Sequence, residues 1–495
     1  MGIIIRQATI STVFSYLGAF LGFVNVSILM NRWFTVEEFG LREALLSVSV
    51  IAAQFSSLGS SASLVRFFPF FNRKGKNDGG LLSISLIISF CGFLITTAVL
   101  LLIQNIVMDS YNEKSTLFRE YFWVLIPLTF LLLMNLVFES YIKARSRTAF
   151  TTFVKEVFHR ALITVILVLF YFDFITFYAF IIIFLSSYAL TLVFYILHLQ
   201  LKGEFFTKIN FQYFPNKMRK VYLNYSFFSI LSGFSNLLIA KVDILMVGYF
   251  LGGVGLAIYA NAVYLSVLIF IPAVAITKIA SPVIARAFKF KQMDEIESIY
   301  KKSSTTQFLI GGLAFILLWS NLDNFFELQR EEYQQGKMVL FYLGLSRVLT
   351  MLFGVAGSII NISKYYRFDT ITSVALAIFT VISNSIMIPL WGLEGGAIAT
   401  MLSLTLFYLI RAQFLKAKYN IHPFSKQTLQ VAFILTVAFI ISEVLPFALN
   451  IYVDTIYRSL VIISLVGFLT LFMNISDDVN RLYKKVLGII GRSKD

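Results

Sequence analysis

Asn25, Gln54, Glu139, Asn236, Asp243, Arg347 and Asn361 sit inside or at the edge of long apolar runs of this 495-residue chain. An ionisable or strongly polar group in hydrocarbon is costly unless it faces a partner or a wet cavity. The question is therefore what such groups can bind. The Arg347 guanidinium is a planar, permanently charged fork that matches the oxygens of a phosphate or an acidic sugar. Asp243 can act as its counter-ion or hold a coupling cation such as H+ or Na+. The side-chain amides of Asn25, Gln54, Asn236 and Asn361 can exchange hydrogen bonds with hydroxyl groups. Glu139 is a second carboxylate suited to ion coupling, although Lys143 at i+4 also allows an ordinary interfacial pair.

Enzymatic chemistry finds no footing. His159, His198 and His422 are far apart and lack metal-ligand spacing. Gly252-Gly253-Val254-Gly255 follows an apolar run, and no Gly-Lys-Ser/Thr phosphate loop occurs. Uphill work must then draw on an ion gradient, the membrane potential or substrate release. No catalytic residue, metal or cofactor is expected. Cys91 is the only cysteine and excludes an internal disulfide.

The elements that position these groups are membrane spans. Apolar residues make up 58% of the chain and charged ones 14%, with a mean hydropathy of +0.81. A span needs roughly 20 mostly apolar residues to cross about 30 Å of hydrocarbon. Such runs fall near 10–30, 43–65, 81–107, 119–141, 159–173, 176–199, 221–249, 256–281, 305–322, 338–362, 369–390, 395–416, 427–447 and 455–474. Asp173 divides the fifth from the sixth. The expected fold is an all-α polytopic membrane protein with these fourteen helices.

The net charge of +15 records topology, not nucleic-acid binding. Most of the 41 Lys and Arg residues fall in alternate gaps, beginning with Arg6 and ending with the 481–494 tail, while the other gaps are short and lean acidic. That asymmetry is the positive-inside rule and predicts both termini in the cytoplasm. The first apolar run reads as a retained helix, since no small-residue cleavage site follows it.

At about 100° per residue, polar positions seven or eleven apart share a helix face. Ser229, Ser232, Asn236 and Asp243 form one such stripe. Gly344, Arg347, Gly354, Ser358 and Asn361 form another. Ser11, Ser15, Gly18, Gly22, Asn25 and Arg32 form a third, and Glu43, Ser47, Gln54 and Ser61 a fourth. These faces either line a wet path or, at their Gly and Ser positions, pack helix against helix. Lys241 lies about 200° from Asp243 and points elsewhere on its helix.

The basic stretch 200–220 is the natural midpoint, and the pattern restarts after it. IleLeuMetAsnArgTrpPheThrValGluGluPheGlyLeu ends at Gly40-Leu41, and IleLeuMetValGlyTyrPheLeuGlyGlyValGlyLeu ends at Gly255-Leu256. This predicts an N-terminal six-helix bundle over 1–220, a second over 221–420, and two further helices with a tail over 421–495. Secondary transporters are often built from such halves, with the substrate path between them.

Local patterns add a family resemblance. They are Phe39-Gly40-Leu41; residues 243–259 leading to Ser281-Pro282-Val283; Lys143-Ala144-Arg145; and Ile388-Pro389-Leu390-Trp391-Gly392 with Gly395-Gly396-Ala397-Ile398-Ala399-Thr400. Together they make the chain similar to the oligosaccharide (lipid-linked sugar) flippases of the polysaccharide biosynthesis family, Wzx-like proteins of the multidrug/oligosaccharidyl-lipid/polysaccharide exporter superfamily. The resemblance implies two six-helix bundles in a V with a central cavity, plus two peripheral C-terminal helices. It also implies movement of an undecaprenyl-pyrophosphate-linked sugar unit across a bacterial inner membrane for O-antigen, lipopolysaccharide, capsule or exopolysaccharide assembly. Membrane lipids, and a polysaccharide polymerase or other assembly protein, would be its partners. A lipid II flippase shares the architecture. A cation-coupled multidrug antiporter would have twelve spans and a deep carboxylate in its first half. A membrane polymerase or ligase would need catalytic residues on a large outer loop, and the outer gaps are short.

Overall fold

A computed structural model describes residues 2–71, 80–112, 116–205, 216–447, 450–473 and 475, and among them all regular structure is helical. Hydrocarbon offers the backbone no hydrogen-bond partner, so long apolar runs close their own bonds as helices. Helix α1 is Gly2–Phe23, continued by a π-helical stretch Val24–Met30 and Asn31–Trp33. Helix α2 is Val36–Ser56, bent by 44° onto Ser60–Phe71; α3 is Leu81–Asn112 and α4 is Leu125–Ala144. Helix α5 combines Thr148–Thr152, the π-helical Phe153–Phe158 and His159–Tyr171, and α6 is Phe177–Leu201. Helices α7 and α8 are the two parts of Asn216–Lys289, which is interrupted at Gly252; α9 is Met293–Ser320. Helix α10 is Lys337–Leu352, continuing with a 52° bend as Ala356–Ile362. Helices α11 and α12 share Tyr366–Tyr419, interrupted at Gly392, and α13 (Lys426–Val444) and α14 (Ile451–Phe472) complete the set.

Among the described residues nine helices are long and apolar enough to cross a bilayer, or eleven with the two bent pairs. Two of these are too long for one crossing. A straight 74-residue helix would measure about 110 Å, several times the hydrocarbon thickness, and Asn216–Lys289 breaks at Gly252 (φ 79°, ψ −174°). Tyr366–Tyr419 breaks likewise at Gly392 (φ 59°, ψ −136°). With these breaks and α5, every expected span has a helical counterpart. Asp173 separates α5 from α6 in the left-handed region (φ 56°).

The stretch 142–158, expected as a loop, differs. After a turn at Ser146 (φ 60°) the chain is helical again from Thr148. Its charges are paired, Arg160 with Glu156 at 2.7 Å and Lys155 with Glu139 at 3.4 Å, so they can be carried on the helix.

The chain forms two compact units, Met1–Asn261 with Thr380–Leu393, and Ala262–Phe379 with Glu394–Asp495. The first is built around Leu64, Phe68, Phe138, Tyr141, Tyr195 and Tyr222. In the second, Ile269, Phe315 and Met351 pack with Val431, Ile434, Ile462 and Val466, so α13 and α14 are part of its core. Gly312 of α9 lets Leu435 of α13 approach, since a Cβ there would collide with the leucine side chain.

The repeated Gly-Leu turns meet inside the first unit. A Cβ on Gly40 would run into the backbone carbonyl of Gly253, and one on Gly255 would touch the Leu393 side chain at 3.7 Å. Thr35 caps α2 by accepting from the Glu38 amide at 3.2 Å while the Glu38 side chain accepts from the Thr35 amide at 2.8 Å. Beside this turn the buried Asn31 amide donates to Asn261 Oδ1 at 2.7 Å, joining the end of α1 to α8.

Candidate functional site

The candidate residues fall into several settings. In the first unit Asp243 is 5% exposed on α7. Its Oδ2 accepts from the Tyr259 hydroxyl at 3.1 Å and its Oδ1 from the Ile244 amide at 2.9 Å. Tyr259 lies on α8, beyond the Gly252 break, so the break places a donor from one helix on a carboxylate of the other.

Asn25 is fully engaged. Its Nδ2 donates to the Arg160 carbonyl and its Oδ1 accepts from Thr164, both at 2.8 Å. Gly18 and Gly22 of that stripe face the same neighbour. A Cβ at Gly18 would strike the Glu156 backbone and one at Gly22 the Arg160 guanidinium, which itself donates to the Gly18 carbonyl. The Gly positions here bring α1 against α5, the close-packing role of small residues between membrane helices.

Gln54 is half-buried on α2, its Nε2 2.5 Å from where a Cβ on Gly233 of α7 would stand. Asn236 belongs to α7, and its side chain lies outside the described residues. Glu139, 7% exposed near the end of α4, pairs with Lys143 at 2.5 Å and with Lys155 at 3.4 Å. The i,i+4 pair that the spacing predicts is present.

In the second unit Arg347 is half-buried on α10. Its Nε donates to the Ser266 hydroxyl at 3.5 Å, and its guanidinium carbon lies 5.8 Å from the Phe270 ring centroid. Both contacts come from α8. Gly354, at φ 51°, bends α10 two turns further on, so the single face expected through Gly344, Arg347, Gly354, Ser358 and Asn361 is interrupted there. Asn361 is exposed beyond the bend and donates to Asp369 Oδ2 at 3.2 Å. Asp369 pairs with Arg411, which is 7% exposed and stands 3.8 Å from the Phe407 ring centroid.

The structure thus sets Asp243 with Tyr259 in one unit and Arg347 with Ser266 and Phe270 in the other. Sequence reasoning passed over the buried pairs Arg42–Glu43 and Asp454–Arg458. An i,i+4 spacing marks the second. Arg42 and Glu43 are adjacent, and no spacing rule singles them out. Among the described residues no group of three or more His, Cys, Asp or Glu side chains can hold a metal ion.

The fold is that of known membrane transporters. A lipid II flippase, MurJ, in an inward closed conformation superposes with a TM-score of 0.72 at 13% identity, covering 95% of this chain and 98% of its own. An inward-facing multidrug resistance MATE family transporter of the MOP superfamily gives 0.66 at 17% identity, covering 84% and 98%. A MOP superfamily transporter from Pyrococcus furiosus gives 0.57 at 17% identity, covering 84% and 95%. No curated protein matches the sequence. The family model for polysaccharide biosynthesis proteins matches residues 4–288, more than half the chain. The chain is therefore a multi-pass membrane protein that belongs to the polysaccharide biosynthesis protein family.

Proposed function

We propose that this protein is a flippase that carries an undecaprenyl-pyrophosphate-linked oligosaccharide from the inner to the outer face of a bacterial cytoplasmic membrane, for assembly of a cell-surface polysaccharide. The family match over residues 4–288 is the observation that carries this reading. The likeness to the lipid II flippase MurJ supports it by fold, because that molecule is also a sugar on a lipid carrier. The physics agrees. A carrier's tail can remain in the bilayer while its phosphates and sugars need polar, cationic company. Arg347 supplies a guanidinium that bonds phosphate oxygens two at a time. Asp243, with Glu139 as a second carboxylate, supplies a place for H+ or Na+ to couple movement to a gradient. Gln54, Asn236 and Asn361 add amides for sugar hydroxyls, while Asn25, bonded at both ends of its amide, holds α1 to α5 instead. Both termini lie in the cytoplasm, and a polysaccharide polymerase or other assembly protein receives the product.

Deletion of the chain in its own host tests the reading. Surface polysaccharide should fall, and its lipid-linked repeat unit should accumulate on the cytoplasmic leaflet, where periplasmic enzymes cannot reach it. Unchanged surface polysaccharide, with accumulation of lipid II instead, would assign the protein to the peptidoglycan precursor.

A further inference from the structure

The bend in α10 opens a cavity of about 270 Å³ inside the second unit, walled by α8, α9, α10 and α12. Its polar lining includes Lys278, Gln307, Thr350, Ser358 and Tyr408, and no carboxylate lines it. Two of these groups are buried without an answer. Gln307 is 1% exposed and its Nε2 has no hydrogen-bond partner; Thr350 is 6% exposed and its Oγ1 has none. Native proteins leave few buried polar atoms unpaired, and each such atom asks for an explanation.

The chemistry of the lining narrows the occupant. A glutamine amide nitrogen can only donate, and an ammonium can only donate. The Thr350 hydroxyl can donate as well. Lys278 is exposed at the cavity and forms no ion pair among the described residues, so it adds an unbalanced positive charge. A cationic or purely apolar ligand would leave these donors unpaired. An oxyanion answers all three. In a bilayer the abundant oxyanions are phosphoryl groups, and the helix that carries Lys278 has two further basic residues, Arg286 and Lys289, in its last turn. Arg347 stands one turn before Thr350, over Phe270, which also lines the cavity. It gives an arriving phosphate a second cation.

We propose that this cavity is a phosphoryl-binding site, in which Gln307 and Thr350 donate to phosphate oxygens and Lys278 balances the charge. As a station on the route of a lipid-linked sugar, the site rests on the flippase reading. As a phosphoryl site it is tested on the protein at rest, so the two can fail separately.

The experiment uses the full chain, purified in dodecyl maltoside, a detergent that carries no phosphate. Saturable binding is measured for undecaprenyl phosphate, phosphatidylglycerol and inorganic phosphate. At least one should bind. Gln307→Leu and Thr350→Val should each weaken that binding about tenfold, and Lys278→Met should weaken it and flatten its salt dependence. Saturation by undecaprenyl phosphate alone identifies the carrier as the source. Saturation by both lipids identifies phosphate headgroups in general, and by inorganic phosphate alone a soluble ligand. The thermal midpoint of Gln307→Leu should equal or exceed that of wild type, because the change removes a buried donor that nothing in the fold satisfies. No saturable binding by any probe would overturn the proposal. So would unchanged binding in Gln307→Leu and Lys278→Met; because Lys278 is exposed, its variant keeps the test alive if the buried one misfolds.

Discussion

The Tyr259 hydroxyl donates to the Asp243 carboxylate at 3.1 Å across the Gly252 break, tying α8 to α7 through a buried charge. A hydrogen bond to a buried charged group contributes about 1.5–3 kcal/mol. Tyr259→Phe keeps the ring and removes only that donor. It should lower the thermal midpoint of the purified protein by a few degrees. An unchanged midpoint would show that this bond does not hold the two helices.

Gly392 and Gly467 make a matched pair. Neither would bring a new Cβ within 4 Å of another side chain or distant backbone atom. Gly392 has φ 59° and ψ −136°, a conformation that L residues avoid, whereas Gly467 is an interior residue of α14. Gly392→Ala should therefore cost about 1–3 kcal/mol through backbone strain alone. Gly467→Ala should gain up to about 1 kcal/mol of helix propensity. Thermal midpoints that move in opposite directions confirm the break at Gly392; two rises would refute it.

Gly40 faces a rigid neighbour. The atom that a Cβ would meet is the backbone carbonyl of Gly253, which cannot rotate away as a side-chain tip can. Gly40→Val should destabilise by about 1–3 kcal/mol or more, as overpacking does. Size-exclusion profiles and thermal midpoints of the solubilised protein would register it. The second unit, which this contact does not touch, serves as the control through Gly467→Ala.

Asp454 and Arg458 are 1% and 3% exposed and pair at 2.8 Å on α14. Asn324 donates to Asp454 at 2.7 Å, and Arg458 donates to the Leu445 carbonyl at 2.8 Å. Removing one partner leaves a buried charge, at a cost of about 3–5 kcal/mol, whereas replacing both by apolar residues can be nearly neutral. Asp454→Leu should reduce folded yield sharply, and Asp454→Leu with Arg458→Met should recover much of it. Failure of the double variant to recover would place the value of the site in its hydrogen bonds to Asn324 and Leu445.

Much of the fold is legible in hydropathy, because length and apolar content alone decide whether a segment can span. The split at Asp173 and the glycine-centred turns at Gly252 and Gly392 also lie in plain view, since a charged residue or a Gly-rich motif interrupts an otherwise continuous run. Helix faces are harder. Asn25 looks the same in a sequence whether it lines a cavity or bonds the Arg160 carbonyl. The stripe through Arg347 and Asn361 assumes a straight helix, and a single glycine at φ 51° bends it. Gln307 and Thr350 stood out even less, because what distinguishes them is a missing partner, and that is a property of packing.

The most direct test of the account is flipping itself. Proteoliposomes carrying a labelled undecaprenyl-pyrophosphate oligosaccharide should move label between leaflets with the wild-type chain. Arg347→Ala should lose at least tenfold in rate, and Arg347→Lys, which keeps the charge but not the fork, should fall between the two. Asp243→Asn should lose its response to an imposed ion gradient. Full flipping by both Arg347→Ala and Asp243→Asn would contradict the proposal that these two groups carry the headgroup and its coupling ion.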